Sequence, residues 1–149
     1  MQLDTDRFLQ DLQSLRNIGR YRTGVHRPTY GADDMASRHW LCERLSEIGL
    51  EPSIDGIGNV FGRGAAAGPR LLAGSHLETQ DYSGWLDGAL GVVGALALAR
   101  AGLPVDVCAY ADEEGHYGSF LGSRSLIGDL SEDQIDQARH KSDGTSLRD

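Results

Sequence analysis

A chain of 149 residues with 14 basic and 22 acidic side chains carries a formal net charge of −8, a balance that disfavours nucleic acid and anionic membrane as main partners. The length suits one domain with a real core. No apolar run reaches the roughly 18 residues that span a bilayer, and the polar, acidic start Met1-Gln2-Leu3-Asp4-Thr5-Asp6 is unlike a signal peptide. Cys42 and Cys108 have no metal-ligand spacing and read as reduced core thiols, which points to a cytoplasmic location.

Leu3, Phe8, Leu12, Leu15 and Ile18 recur at helical spacing over residues 3–18, and Gly19 ends the run. Residues 22–31 read as a loop. A second helix is predicted to start near Asp33-Asp34, whose carboxylates suit a helix N-terminus; it turns Met35, Trp40, Leu41, Leu45 and Ile48 inward and stops at Gly49. Short strands are predicted at 51–55 and 58–63, then a turn through the three alanines between Gly64 and Gly68. Residues 70–75 read as a buried strand ending at His76, and 87–101 as an apolar helix closed by Gly102-Leu103-Pro104. A second buried strand covers 105–111 and ends at Asp112-Glu113-Glu114, and an acidic helical pattern follows over 131–139.

Strand, helix, strand is a right-handed crossover unit, so the two strands are expected to be parallel, and parallel strands present ligand sites at their carboxyl ends. His76 and Glu113-Glu114 sit at those ends, and Asp87 opens the connecting helix. Singly, His76 is an ordinary loop residue, Asp87 a helix N-cap and Glu113-Glu114 a solvated acidic turn. On one edge of one unit they become a candidate metal site. Imidazole mixed with carboxylate oxygen suits zinc, manganese or cobalt, and adjacent glutamates offer both a ligand and a proton acceptor. Neighbours in a regular strand point to opposite faces, so both glutamates serve one site only if the strand ends before them; Gly115 supplies the turn.

The segments GSHLETQ, SGWLDGALGVV and ADEEGHYGSFLGSRSL, with TGVHRPTYGADDMASRHWL and IDGIGNVFGR upstream, resemble the dinuclear-metal amidohydrolases that include N-carbamoyl-L-amino-acid hydrolases (the hydantoinase/carbamoylase family) and allantoate amidohydrolases, within the zinc peptidase superfamily. The resemblance implies an α/β fold, the N-terminal half of a zinc-aminopeptidase-like catalytic domain with a mostly parallel sheet and flanking helices. Residues 1–149 would then be a partial metallohydrolase catalytic domain, truncated before the lid and dimerisation domain. It further implies two divalent metal ions, zinc foremost, with manganese, cobalt or nickel as alternatives. His76 would bind one ion, Glu114 the other, and Asp87 would bridge them. Glu113 would take a proton from water and return it to the departing nitrogen. The Asp87–Gly88 peptide is a candidate cis bond. The implied reaction is hydrolysis of C–N bonds in N-carbamoyl amino acids or related small-molecule ureides, with no nucleic acid or membrane involved. The resemblance also implies a homodimer for full-length members.

Two departures from the family pattern stand out. The position two residues after the histidine is normally Asp, orienting the imidazole; here it is Glu78, and Glu78→Asp is expected to leave activity of a complete enzyme equal or better. The family site is also completed by two further histidines and an inserted lid domain, all beyond Asp149, so a complementing C-terminal half is an expected partner and the isolated chain is expected to aggregate or fold only in part. Gln80 is a candidate substrate contact or a turn residue. His116 is a candidate pocket residue, and Arg124, after Gly122-Ser123, either binds an anion at a helix start or pairs with a neighbouring acid. His26, His39 and His140 read as solvated. Two other readings remain open, a non-catalytic α/β fragment or binding module and a dipeptidase.

Overall fold

The computed structural model describes residues 3–149; Met1 and Gln2, which begin the polar start, lie outside the described residues. Helix α1 (Thr5–Asn17) begins two residues later than its apolar spacing suggests, because the Asp4 carboxylate caps it by accepting the Arg7 N–H at 2.9 Å. A short hairpin pairs β1 (Arg20–Tyr21), just before the expected loop, with β2 (Gly24–Val25) inside it. Then follow α2 (Ala32–Glu47), β3 (Glu51–Ile54), β4 (Val60–Arg63), β5 (Leu71–His76), α3 (Ala89–Arg100), β6 (Val105–Tyr110), α4 (Leu121–Leu126) and α5 (Glu132–Gln137). Helix α5 is shorter than the acidic pattern over 131–139, and Ser131 with Gln134 closes a capping box at its start. Among the described residues no helix is long and apolar enough to cross a membrane.

The α/β expectation holds, and the mostly parallel sheet does not. The main sheet runs β3-β4-β6-β5, and only β5 with β6 is parallel; β3–β4 and β4–β6 are antiparallel. For β3–β4 the reason is chain length. A parallel return needs a crossover of about a dozen residues, whereas residues 55–59 link β3 to β4 as a hairpin whose turn is fixed by Asp55, accepting the N–H groups of Ile57 and Asn59. The β5–α3–β6 segment is long enough, and its strands pair in register from Leu71↔Val105 to His76↔Tyr110.

One apolar cluster joins the layers. Leu12 and Leu15 of α1, Trp40, Leu41 and Leu45 of α2, and Val92, Val93 and Leu96 of α3 pack with Val60, Val107 and Ala109 of the sheet. The pairing of β5 with β6 depends on Gly74, whose φ is +158°; a Cβ there would lie 1.8 Å from the Cys108 carbonyl oxygen, inside any van der Waals limit. Cys42 and Cys108 are free thiols on α2 and β6, and burial raises the pKa of both.

At the start of β6, Asp106 accepts from Arg70 Nε at 2.5 Å and from the Gly64 N–H at 3.0 Å. Burial alone would raise this carboxyl; the two donors and the Arg70 charge outweigh it and hold the group below its ordinary value. Stability from ionised Asp106 is therefore complete above the ordinary aspartate range near pH 4 and is lost as pH falls through the depressed folded value. Arg70→Gln is expected to cost about 1 kcal/mol near neutral pH, a gap that closes in acid. Denaturant melts at pH 7 and pH 3 measure it, and an equal loss at both would contradict the ion-pair origin.

Candidate metal centre

Because β5 and β6 are parallel with His76 opposite Tyr110, their carboxyl ends open on the same edge. The chain leaves β5 at His76, travels through residues 77–88 and re-enters helix at α3, so Asp87 returns to the point from which His76 departed. Gly88 makes that return possible. Its φ is +66°, and a Cβ would fall 2.5 Å from the His76 carbonyl oxygen and 2.6 Å from the imidazole. Every peptide bond among the described residues is trans, Asp87–Gly88 included, so the expected cis bond is absent; the reversal is made by the positive φ of Gly88. Beyond β6, Asp112 adopts φ +52°. Its carboxylate accepts the N–H groups of His116 (2.6 Å), Tyr117 (2.9 Å) and Gly118 (2.9 Å) and the Thr29 hydroxyl (2.9 Å), enough to hold a conformation unusual for a non-glycine residue. Burial works against ionisation of Asp112, yet these donors prevail and its pKa is lowered. The turn so fixed ends the strand before Glu113 and Glu114 and frees them from face alternation.

His76, Asp87 and Glu114 each offer one donor atom, and the three atoms lie within 4.8 Å of one another. The ring Nε2 of His76 is 3.9 Å from Asp87 Oδ1 and 3.5 Å from Glu113 Oε2. Its Nδ1 is engaged 3.0 Å from the Glu78 carbonyl oxygen, an interaction that leaves Nε2 as the outward-facing donor. His76 is 3 % exposed, whereas the Asp87 side chain is 79 % exposed, so the cluster opens to solvent from a buried imidazole. One imidazole and carboxylate oxygens in this grouping match the donor chemistry of a borderline divalent cation.

Glu78 is wholly buried and ties the two strand ends together. Its carbonyl meets His76, while Oε1 accepts the Glu113 backbone N–H at 2.5 Å. Oε2 lies 3.5 Å from Arg38 Nη2, and Arg38 pairs with Asp34 Oδ2 at 2.9 Å; all three side chains have no solvent exposure. Burial drives the Glu78 carboxyl upward, with the His76 ring and Arg38 pulling against it. Arg27, also fully buried, donates to the carbonyls of Leu77 (2.6 Å), Leu15 (3.0 Å) and Ile18 (2.8 Å), joining the end of α1 to the start of the loop. Burial brings its guanidinium down to about 10, so it stays charged at neutral pH. The loop is pinned further along, where the Thr79 N–H donates to the Arg27 carbonyl, and Val25 and Ser83 exchange backbone hydrogen bonds. From sequence Arg27 and Arg38 carry no assigned role, Asp34 reads only as a helix-start carboxylate and Asp112 only as part of the acidic strand end. Asp34 and Arg38 stand at i, i+4 and look like a surface pair; the available signal was their place beside the inward-facing Trp40 and Leu41.

The remaining candidates fare differently. Gln80 lies at the centre, its Nε2 donating to Glu114 Oε2 at 2.8 Å and to the Glu114 carbonyl at 3.0 Å. His116 does not line an open pocket: it is 1 % exposed, drawn inward by the Asp112 turn, with Nδ1 2.9 Å from the Thr29 hydroxyl. His140 is not a free tail residue, since its ring packs against His116 and Tyr117, and His26 stacks on Tyr82 with centroids 4.2 Å apart. Arg124 forms no anion site. It pairs with Asp129 at 3.1 Å and donates to Gln134, and α4 has only six residues.

Comparison with known proteins gives a consistent picture. No family model matches the chain. It is 31 % identical to the N-carbamoyl-L-amino-acid amidohydrolase of Paenarthrobacter aurescens, over 96 % of this chain and 38 % of that protein. It is 38 % identical to a probable allantoate deiminase of Oryza sativa subsp. japonica, over 70 % of this chain and 24 % of the relative. Among solved structures, an amidase of the hydantoinase/carbamoylase family from Burkholderia phymatum superposes with TM-score 0.94 at 44 % identity, covering 99 % of this chain and 38 % of that one. A protein described as a putative Zn-dependent exopeptidase from Bacteroides vulgatus, at 19 % identity and TM-score 0.62 over 89 % of this chain and 56 % of that one, shares the fold. The chain thus spans well under half the length of the curated relatives it matches.

The geometry of Glu78 reverses the expectation attached to its length. Aspartate is one methylene shorter and would draw Oε1 away from the Glu113 N–H. Glu78→Asp is therefore expected to weaken divalent-ion binding about tenfold, measured by calorimetric titration. Arg38→Met, which strands Glu78 in the interior, is expected to cost about 3 kcal/mol in a denaturant melt; a loss below 1 kcal/mol on the same measurement would contradict the pairing described above.

Proposed function

Since this chain is a homologue of the hydantoinase/carbamoylase amidases over part of their length, we propose that it carries part of a metal-dependent amidohydrolase centre, one that cleaves C–N bonds in N-carbamoyl amino acids or related ureides. The observation that supports this most is the meeting of His76, Asp87 and Glu114 donors within 4.8 Å, with Glu113 alongside. The named activities of the relatives, an N-carbamoyl-L-amino-acid amidohydrolase and a probable allantoate deiminase, support this substrate class.

In this reading His76, Asp87 and Glu114 would hold two divalent ions, zinc being the leading candidate and manganese, cobalt or nickel the others. Bound ions would supply Lewis-acid polarisation of the scissile carbonyl. The chain's own contribution is positioning and proton transfer. The Glu113 carboxylate is part-exposed and 3.5 Å from His76 Nε2, where it can take a proton from an attacking water and deliver it to the departing nitrogen. The Glu78 carbonyl fixes the His76 ring, and Gln80 restrains Glu114. A second reading, an ion-binding module without turnover, is favoured by the 79 % exposure of Asp87, which leaves the centre open on that side.

Titration with Zn²⁺ or Co²⁺, followed by calorimetry and by the visible absorption of cobalt, tests the centre. Saturable binding is expected, and His76→Ala or Asp87→Asn should each weaken it about tenfold or more with an unchanged far-UV circular dichroism spectrum. Equal affinity in both variants would overturn the assignment. Ammonia release from an N-carbamoyl amino acid separates the two readings. Glu113→Gln should abolish it while leaving ion affinity in the same range, and ion binding without any release by the wild-type chain in its complete assembly would favour the module.

A further inference from the structure

Lys141 is the one lysine among the chain's 14 basic side chains. Among the described residues it forms no ion pair, although the chain is acidic overall; its Nζ donates instead to the neutral Oε1 of Gln80 at 3.2 Å. Gln80 Nε2 passes the contact on, to Glu114 Oε2 at 2.8 Å and to the Glu114 carbonyl at 3.0 Å. The lysine reaches Gln80 from a fastened backbone. Its own N–H donates to the His116 carbonyl at 2.7 Å, and the neighbouring His140 ring stacks on His116 and meets Tyr117 edge-on. The His140 N–H bond to the Thr145 carbonyl and the Arg139–Ser146 bridge fold this segment back on itself. Residues far beyond β6 are thus laid against the turn that carries Glu114.

We propose that Lys141 is a positioning residue for Glu114 and acts through the Gln80 amide. A glutamine amide offers an acceptor at one end and two donors at the other, and an ammonium can only donate. Lys141 therefore claims Oε1 and turns Nε2 toward Glu114. The reverse orientation would set the Gln80 oxygen against both the Glu114 carboxylate and the Glu114 carbonyl, and its NH₂ against the ammonium. Held at two points by one amide, the Glu114 side chain stays in the cluster with His76 and Asp87. Charge alone works in the opposite sense, because an ammonium beside a cation site repels the ion. Removal of Lys141 thus separates the two roles by the sign of its effect. The consequence for ion binding rests on the functional reading above; the Lys141–Gln80–Glu114 relay does not.

Two measurements on the full 149-residue chain test this, calorimetric titration with Zn²⁺ and, without any ion, NMR of the Gln80 side-chain amide. Lys141→Met, at an exposed position, should leave the circular dichroism spectrum unchanged. It is expected to weaken Zn²⁺ binding about threefold or more and to speed proton exchange of the Gln80 NH₂ by at least about threefold. Lys141→Arg keeps a donor and should restore both. In a Gln80→Leu background, Lys141→Met should weaken binding no further, since the relay is already cut. Unchanged or tighter Zn²⁺ binding in Lys141→Met would overturn the proposal, as would unchanged Gln80 exchange or the same weakening in both backgrounds. A wild-type chain that binds no Zn²⁺ would sink the metal reading, and the ion-free exchange would then decide the relay by itself.

Discussion

The candidate centre depends on one buried carboxylate. Glu78 grips both strand ends at once, with its carbonyl on the His76 ring and its side chain on the Glu113 N–H. A carboxyl this deep is costly to ionise, and Arg38 of α2, itself balanced by Asp34, faces it and offsets part of that cost. The charges are thus not ornaments of a finished fold. They decide where β5 ends relative to β6, and through that the spacing of imidazole and carboxylates on the open edge.

Much of the layout was legible. Apolar spacing located α1, α2 and α3, and apolar runs located β5 and β6; β6 is buried as expected, whereas β5, expected to be buried, leaves Leu71 and Leu72 exposed because it is the edge strand of the sheet. The β1–β2 hairpin was not legible, being two residues a side with no room for alternation. Strand order was not either. The insertion of β4 beside β6 is a non-local pairing, and nothing in the run Val60–Arg63 states which neighbour it takes.

The site divides along the same line. His76, Asp87, Glu113 and Glu114 were visible because each sits where a pattern stops, next to a glycine or at the end of an apolar run. The residues that support them were hidden because buried ions copy the appearance of surface ions. Asp34 and Arg38 share the i, i+4 spacing of a solvent-side pair, and only the packing of α2 against the sheet reveals them as interior. His116 misled in the opposite sense. Its nearness to Glu114 in sequence suggested an open pocket, but the Asp112 turn folds its ring under.

The loop from His76 to Asp87 is fastened at its start and in its middle, by Arg27 at Leu77, by Thr79 and by the Val25–Ser83 bridge. Its conformational freedom is therefore surrendered when the chain folds, before any ligand arrives. For a cation at this edge the imidazole would already be placed, and Asp87, with its side chain more exposed than that of Glu113, would be the carboxylate left to immobilise. Capture should then proceed at a rate set by desolvation of the ion, with little dependence on viscosity or on loop motion.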